Sequence, residues 1–125
     1  MSTTRILVVD DEESVRNLLR DGLVETGWVV DTAGTGAEAL QLIRDNLYDA
    51  AVLDFALPDT NGVMLHRKIR EMDPELAQCT LFISGVAQSD ERLDYFGSDG
   101  LGFLSKPFNI WEVVTRLQKM VDETQ

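Results

Sequence analysis

Four polar groups stand at the ends of four apolar runs in this chain. Asp10 and Asp11 follow Ile6–Val9, with Glu12 and Glu13 behind them; Asp54 follows Ala50–Leu53; Ser84 follows Leu81–Ile83; and Lys106-Pro107 comes just after Leu101–Leu104. Gathered in one cleft, two or three carboxylates, a hydroxyl and an ammonium make a poor structural arrangement. The acids repel one another unless a cation sits among them, and hard carboxylate oxygens suit Mg²⁺. Taken singly, each residue also has a bland role open to it. Asp10 or Asp11 could cap a helix, Asp54 could begin the turn before Pro58, Ser84 could bond to backbone, and Lys106 could lie in solvent. The joint placement is harder to ascribe to accident, because it needs four strands to end in polar groups on one edge.

The elements that would bring these groups together alternate regularly. Five apolar runs, Ile6–Val9, Trp28–Asp31, Ala50–Leu53, Leu81–Ile83 and Leu101–Leu104, read as strands, several of them nearly continuous as expected for strands covered on both faces. Between them Val15, Leu18, Leu19 and Leu23 mark a helix closed by Gly27. Thr35 with Glu38 forms a capping box before a helix carrying Leu40, Ile43 and Leu47. Leu65, Ile69 and Met72 mark a third that stops before Pro74, and a weaker pattern covers 89–95. Asn109 with Glu112 opens the last helix, whose buried face is Val113, Val114, Leu117 and Val121. This alternation predicts an α/β, flavodoxin-like, doubly wound parallel sheet of five strands in the order 2-1-3-4-5, with five helices. In such a sheet the site lies at the carboxyl ends of the strands.

Size and charge narrow the function. The 125 residues predict one domain, 1–125. A net charge of −11 argues against a basic nucleic-acid footprint and predicts no direct nucleic-acid partner. No apolar run reaches the ~20 residues of a membrane span, the N-terminus MSTTR has no signal pattern, and the lone Cys79 fits a reducing compartment. A cytoplasmic protein without membrane insertion is expected.

The motifs ILVVDDEESVR at 6–16, VLDFALPDTNG at 52–62, FISG at 82–85 and FLSKPF at 103–108 together make the whole chain resemble the receiver domain of two-component response regulators. The resemblance implies that Asp54 is the phosphoacceptor, charged by a histidine kinase or a phosphotransfer protein in a phosphorelay. It implies that Asp11, Asp54 and the Ala56 backbone carbonyl ligate Mg²⁺, with Asp10 acting through water. It further implies that Lys106 neutralises a phosphoryl oxygen, that Ser84 bonds the phosphorylated state, and that Phe103 is a rotameric switch. Pro107 is expected to follow a cis peptide bond. The signal would leave through the face of the 89–95 helix, the fifth strand and the last helix, toward a protein target or output domain that the sequence does not name. The chain would be no enzyme beyond catalysing its own phosphorylation and slow dephosphorylation. Three departures stand out: Ser84 where threonine is more frequent, Ala56 and Val86 where polar side chains are common, and YFGSDGLGF at 95–103 in place of the usual loop.

Rival readings are weaker. Gly34-Thr35-Gly36-Ala37-Glu38-Ala39 matches a dinucleotide fingerprint, with Asp54 twenty residues after Gly34. It follows the second strand, however, and 125 residues leave no substrate domain, so the glycines are expected to shape a turn. A Mg²⁺-dependent hydrolase would want an acid where Ala56 stands. A degenerate receiver that only binds partners would not keep Asp10, Asp11, Asp54, Ser84 and Lys106. His66 is expected on the surface, and Trp111 either faces a partner or is partly buried.

Overall fold

Aliphatic runs flanked by helices bury both faces, and the central strands of the computed structural model do so from end to end. The structure describes residues 3–85 and 102–123. Strands β1 (Arg5–Val9), β2 (Val29–Ala33), β3 (Ala50–Asp54), β4 (Thr80–Ser84) and β5 (Gly102–Ser105) form one parallel sheet in the order β2-β1-β3-β4-β5. Every residue of β3 and β4 is buried. Register fixes the edge that matters: Val9 lies opposite Ala33 and Leu53, Asp54 opposite Ile83, and Ser84 opposite Ser105. The polar groups predicted at strand ends therefore share one edge, although Leu101 and the predicted 89–95 helix lie outside the described residues.

Five helices are described: α1 (Glu13–Val24), α2 (Gly36–Asp45), α3 (Gly62–Met72), α4 (Pro74–Gln78) and α5 (Ile110–Glu123). They divide the core into two layers. Ile6, Val8, Val52, Leu81 and Ile83 pack under α1 and α5 through Leu19, Leu23, Val113 and Leu117. Leu7, Val9, Leu53 and Phe82 pack on the other face against Ile43, Leu65, Ile69 and Leu76 from α2, α3 and α4. The predicted caps form: Thr35 Oγ1 accepts the Glu38 N–H at 3.1 Å, and Asn109 Oδ1 accepts the Trp111 N–H at 2.8 Å. Gly27 closes α1 with φ of +94°, a conformation costly to residues with a Cβ. Leu47 falls beyond the end of α2 and is exposed, as is Leu18.

His66 contradicts the surface expectation. It is buried on α3, its Nε2–H donates to the Ala77 carbonyl at 2.8 Å, and its ring stands edge-on to Phe82 with centroids 5.3 Å apart. Trp111 is exposed. Among the described residues no helix is long and apolar enough to cross a membrane.

Candidate functional site

Each predicted residue inherits its place from a strand. Asp10 is the first residue past β1 and is wholly buried, Asp54 and Ser84 are the last residues of β3 and β4 and are buried, and Lys106 follows β5. The Lys106 backbone N–H donates to the Ser84 carbonyl at 2.8 Å, continuing the β4–β5 ladder by one step, and the next peptide bond, to Pro107, is cis as expected. The lysine side chain turns back into the cleft. Its Nζ lies 3.0 Å from Asp10 Oδ2, 3.1 Å from Asp54 Oδ2 and 3.3 Å from Glu12 Oε1. One ammonium thus joins carboxylates from the β1 end, the α1 start and the β3 end.

The remaining contacts fix the acids in orientation. Asp10 Oδ1 accepts the Glu12 N–H at 2.9 Å, so this residue also serves the turn that opens α1, and the Arg16 guanidinium donates to the Asp10 carbonyl at 2.7 Å. Asp54 Oδ1 accepts the Ala56 N–H at 3.2 Å, which leaves Oδ2 toward Lys106. Burial, and then the charge of Asp10, push the Asp54 carboxyl above its ordinary range, while the Ala56 N–H and Lys106 act in the opposite direction. For Lys106, burial disfavours the charge, but bonds to Asp10 and Asp54 outweigh it and hold the ammonium above the usual lysine range.

Asp11 points to solvent. Its carboxylate oxygen lies with those of Asp10 and Glu12 in a group whose members are all within 4.8 Å of one another, a set that could hold a metal ion. Lys106 meets Asp10, Glu12 and Asp54, and Asp11 joins Asp10 and Glu12 in the acidic group, so four carboxylates stand around one ammonium with a formal excess of three negative charges. An all-oxygen donor set with that excess fits a small hard divalent cation. Ala56 sits just outside β3, paired with Asn61 across an isolated bridge, and Phe103 on β5 is half-buried opposite Phe82. Val86 lies outside the described residues.

Two side chains gained no role from the sequence. Glu12 completes the lysine's carboxylate triad, and its signal was its position directly after the aspartate pair. Asp59 binds the N-terminus of α2: its Oδ1 accepts the Gly36 N–H at 2.9 Å and its Oδ2 the Ala37 N–H at 3.0 Å. These bonds hold its carboxyl below the ordinary aspartate range. Nothing local announces that contact, because its partners are more than twenty residues away.

Comparison with known proteins gives a consistent picture. The sequence pattern of the response regulator receiver domain matches residues 6–118. The transcriptional regulatory protein PrrA of Mycobacterium tuberculosis is 36% identical over 121 residues, which are 97% of this chain and 51% of that protein. The chain spans about half the length of the curated relatives it matches. Among solved structures, a CheY-like response regulator receiver domain protein from Methanospirillum hungatei superposes with a TM-score of 0.88 at 27% identity, covering 98% of this chain and 96% of that one. The non-phosphorylated HemR receiver domain of Leptospira biflexa gives 0.83 at 35% identity, covering 95% and 94%.

Proposed function

Because this chain belongs to the response regulator receiver domain family, we propose that residues 1–125 act as one Mg²⁺-dependent phosphoacceptor domain in which Asp54 takes a phosphoryl group. The donor is the phosphohistidine of a histidine kinase or phosphotransfer protein. The observation that carries this reading is the junction of Asp10, Asp54 and Lys106, from three strand ends, around a single Nζ at 3.0–3.1 Å.

In the reaction an Asp54 carboxylate oxygen bonds to phosphorus as the phosphorus–nitrogen bond of the donor breaks, and the imidazole leaves with the electron pair. Mg²⁺, held by Asp11, Asp54 and the Ala56 backbone carbonyl with Asp10 acting through water, would neutralise charge on the transferred group. Lys106 exchanges part of its hold on the Asp54 carboxylate for a phosphoryl oxygen. The Ser84 hydroxyl donates to the phosphorylated state, and Phe103 responds by changing rotamer, which alters the face of β5 and α5. Ala56 offers no polar side chain to orient a hydrolytic water, so the phosphorylated form is expected to decay slowly. The domain turns over no substrate beyond its own phosphorylation and dephosphorylation. It works in the cytoplasm and passes its signal to a protein target or an attached output domain, with no direct contact to nucleic acid.

The test is to incubate the protein with Mg²⁺ and acetyl phosphate and measure intact mass. One phosphoryl adduct on the wild type, absent from Asp54→Ala and absent when Mg²⁺ is chelated, is expected. A full adduct on Asp54→Ala would remove Asp54 from the role.

A further inference from the structure

The loop from β3 to α3 folds back on the end of its own strand. Gly62 N–H donates to the Phe55 carbonyl at 2.7 Å, Leu57 N–H to the Thr60 carbonyl at 3.2 Å, and Ala56 pairs with Asn61. From the outer turn of this loop Asp59 reaches sideways to a different element, with both carboxylate oxygens on the first two N–H groups of α2. Thr35 takes the third, on Glu38. Thr60 presses on the same turn: a Cβ at Gly36 would lie 2.5 Å from Thr60 Cγ2 and 3.4 Å from Asp59 Oδ1. The Gly34–Ala39 pattern is thereby accounted for. The N-terminus that could cradle a dinucleotide phosphate is already occupied by a carboxylate of the same chain, and Gly36 is needed so that the loop can approach.

Helix capping alone does not require this arrangement. Thr35 already caps α2, Asp59 is exposed, and its reach across 22–23 residues costs the loop its freedom. What the contact does restrain is the backbone of 55–61, whose Ala56 N–H bonds to Asp54 Oδ1 and so belongs to the candidate site.

We infer that Asp59 is a positioning residue for the phosphorylation site: by latching the β3–α3 loop to the α2 N-terminus it holds the Ala56 backbone beside Asp54, where its carbonyl would serve the proposed Mg²⁺ site. This rests on the proposed reading of the site as a Mg²⁺-dependent phosphoacceptor. Partners that orient a ligand typically cost an order of magnitude or more in metal affinity when removed. Asp59 acts on the loop, so the acceptor itself stays intact in its absence.

The experiment compares wild type, Asp59→Ala, Asp59→Asn and Thr35→Ala. Mg²⁺ affinity is measured by calorimetry, amide shifts are recorded without metal, and the phosphorylation rate with acetyl phosphate is followed as Mg²⁺ is raised. Asp59→Ala should move the Gly36, Ala37 and Ala56 amide resonances without metal and bind Mg²⁺ about tenfold more weakly. Its phosphorylation should be slow at low Mg²⁺ and return to the wild-type rate at saturation. Asp59→Asn keeps one acceptor oxygen and should fall between, which keeps the question open to measurement if the alanine variant folds poorly. Thr35→Ala weakens the same helix end without touching the loop, so it should lower Tm and leave Mg²⁺ affinity unchanged. The latch is wrong if Asp59→Ala binds Mg²⁺ like a wild type that does bind it, or if Thr35→Ala weakens binding equally. A wild type that neither binds Mg²⁺ nor accepts phosphate overturns the site reading itself, and this role for Asp59 with it.

Discussion

Asp54 ends β3 where burial and the neighbouring Asp10 charge both disfavour its ionised form, and where the Ala56 N–H and the Lys106 ammonium only partly offset them. Its carboxyl therefore has a higher pKa folded than unfolded. Such a group contributes stability below the ordinary aspartate range and loses it as pH rises through the folded value. At neutral pH, with metal chelated, the ionised Asp54 should thus weaken the fold. Replacing it with the neutral isostere in Asp54→Asn should raise Tm by a few degrees, and the advantage should shrink as pH falls toward the carboxylate range. Mg²⁺ should reverse the order, because a cation bound by Asp54 stabilises the wild type by mass action. Thermal melts of both proteins in chelator and in Mg²⁺ read this directly. A lower Tm for Asp54→Asn in chelator would show that its charge is already compensated by Lys106. This residue is legible in the sequence because packing gives no reason for an acid at the end of an all-aliphatic run. The tension around it is not, since it depends on how Lys106 divides itself among Asp10, Glu12 and Asp54.

At the scale of elements, the legible signals are those contained within one segment. Thr35 and Asn109 announce α2 and α5 because a cap and its N–H partner lie two or three residues apart. The strands fall within a residue or two of their apolar runs, β2 being shifted toward Ala33 because its ladder with β1 runs from Val29 opposite Arg5 to Ala33 opposite Val9. The five-residue α4 carries the same kind of signal in Asp73, but the stop of α3 at the same place masks it. Pro74 reads as the stop of α3, whereas Asp73 both ends α3 and caps α4 through the Leu76 N–H at 3.1 Å. The buried face of α3 misleads for a related reason. Met72 looks like its apolar edge but is exposed near the helix end, and the face that packs is Leu65, His66 and Ile69. No residue local to His66 predicts this, because its carbonyl partner Ala77 belongs to the unexpected α4. The histidine holds α4 to α3 and fills space beside Phe82. Removing the ring in His66→Ala creates a cavity and leaves the Ala77 carbonyl without this donor, which should cost about 2–4 kcal/mol in urea unfolding. His66→Phe keeps the volume and should lose only about 1–2 kcal/mol, the cost of a buried acceptor left unmatched. Equal stability of wild type and His66→Ala would show that the contact with Ala77 does not hold these helices together.

For the whole molecule, the question is how a change at one edge of the sheet reaches a face that a partner can read. In the proposed mechanism the sheet supplies the connection. Ser84 closes β4 next to Asp54 of β3, and the β4–β5 register sets Ser84 beside Ser105 and Phe82 beside Phe103. Phe82 is fully buried, whereas Phe103 is half-buried and packs against the layer under α2, α3 and α4. A packed sheet of this kind does not deform gradually; it favours one of a few arrangements. A phosphoryl group on Asp54 can shift that balance only by the difference in what it bonds in each state. In the proposed mechanism that difference is the hydrogen bond from Ser84. A bond to a charged group contributes about 1.5–3 kcal/mol, enough to move a two-state equilibrium about ten- to a hundredfold. Ser84→Ala removes the bond while leaving Asp54, Lys106 and the acidic cluster in place. It should still take a phosphoryl group from acetyl phosphate, yet respond weakly. On adding Mg²⁺ and beryllofluoride, the amide shifts of β5 and α5 should be a small fraction of those in the wild type, while shifts next to Asp54 persist. If β5 and α5 respond in Ser84→Ala as fully as in the wild type, the signal leaves Asp54 by a route that does not pass through this hydroxyl.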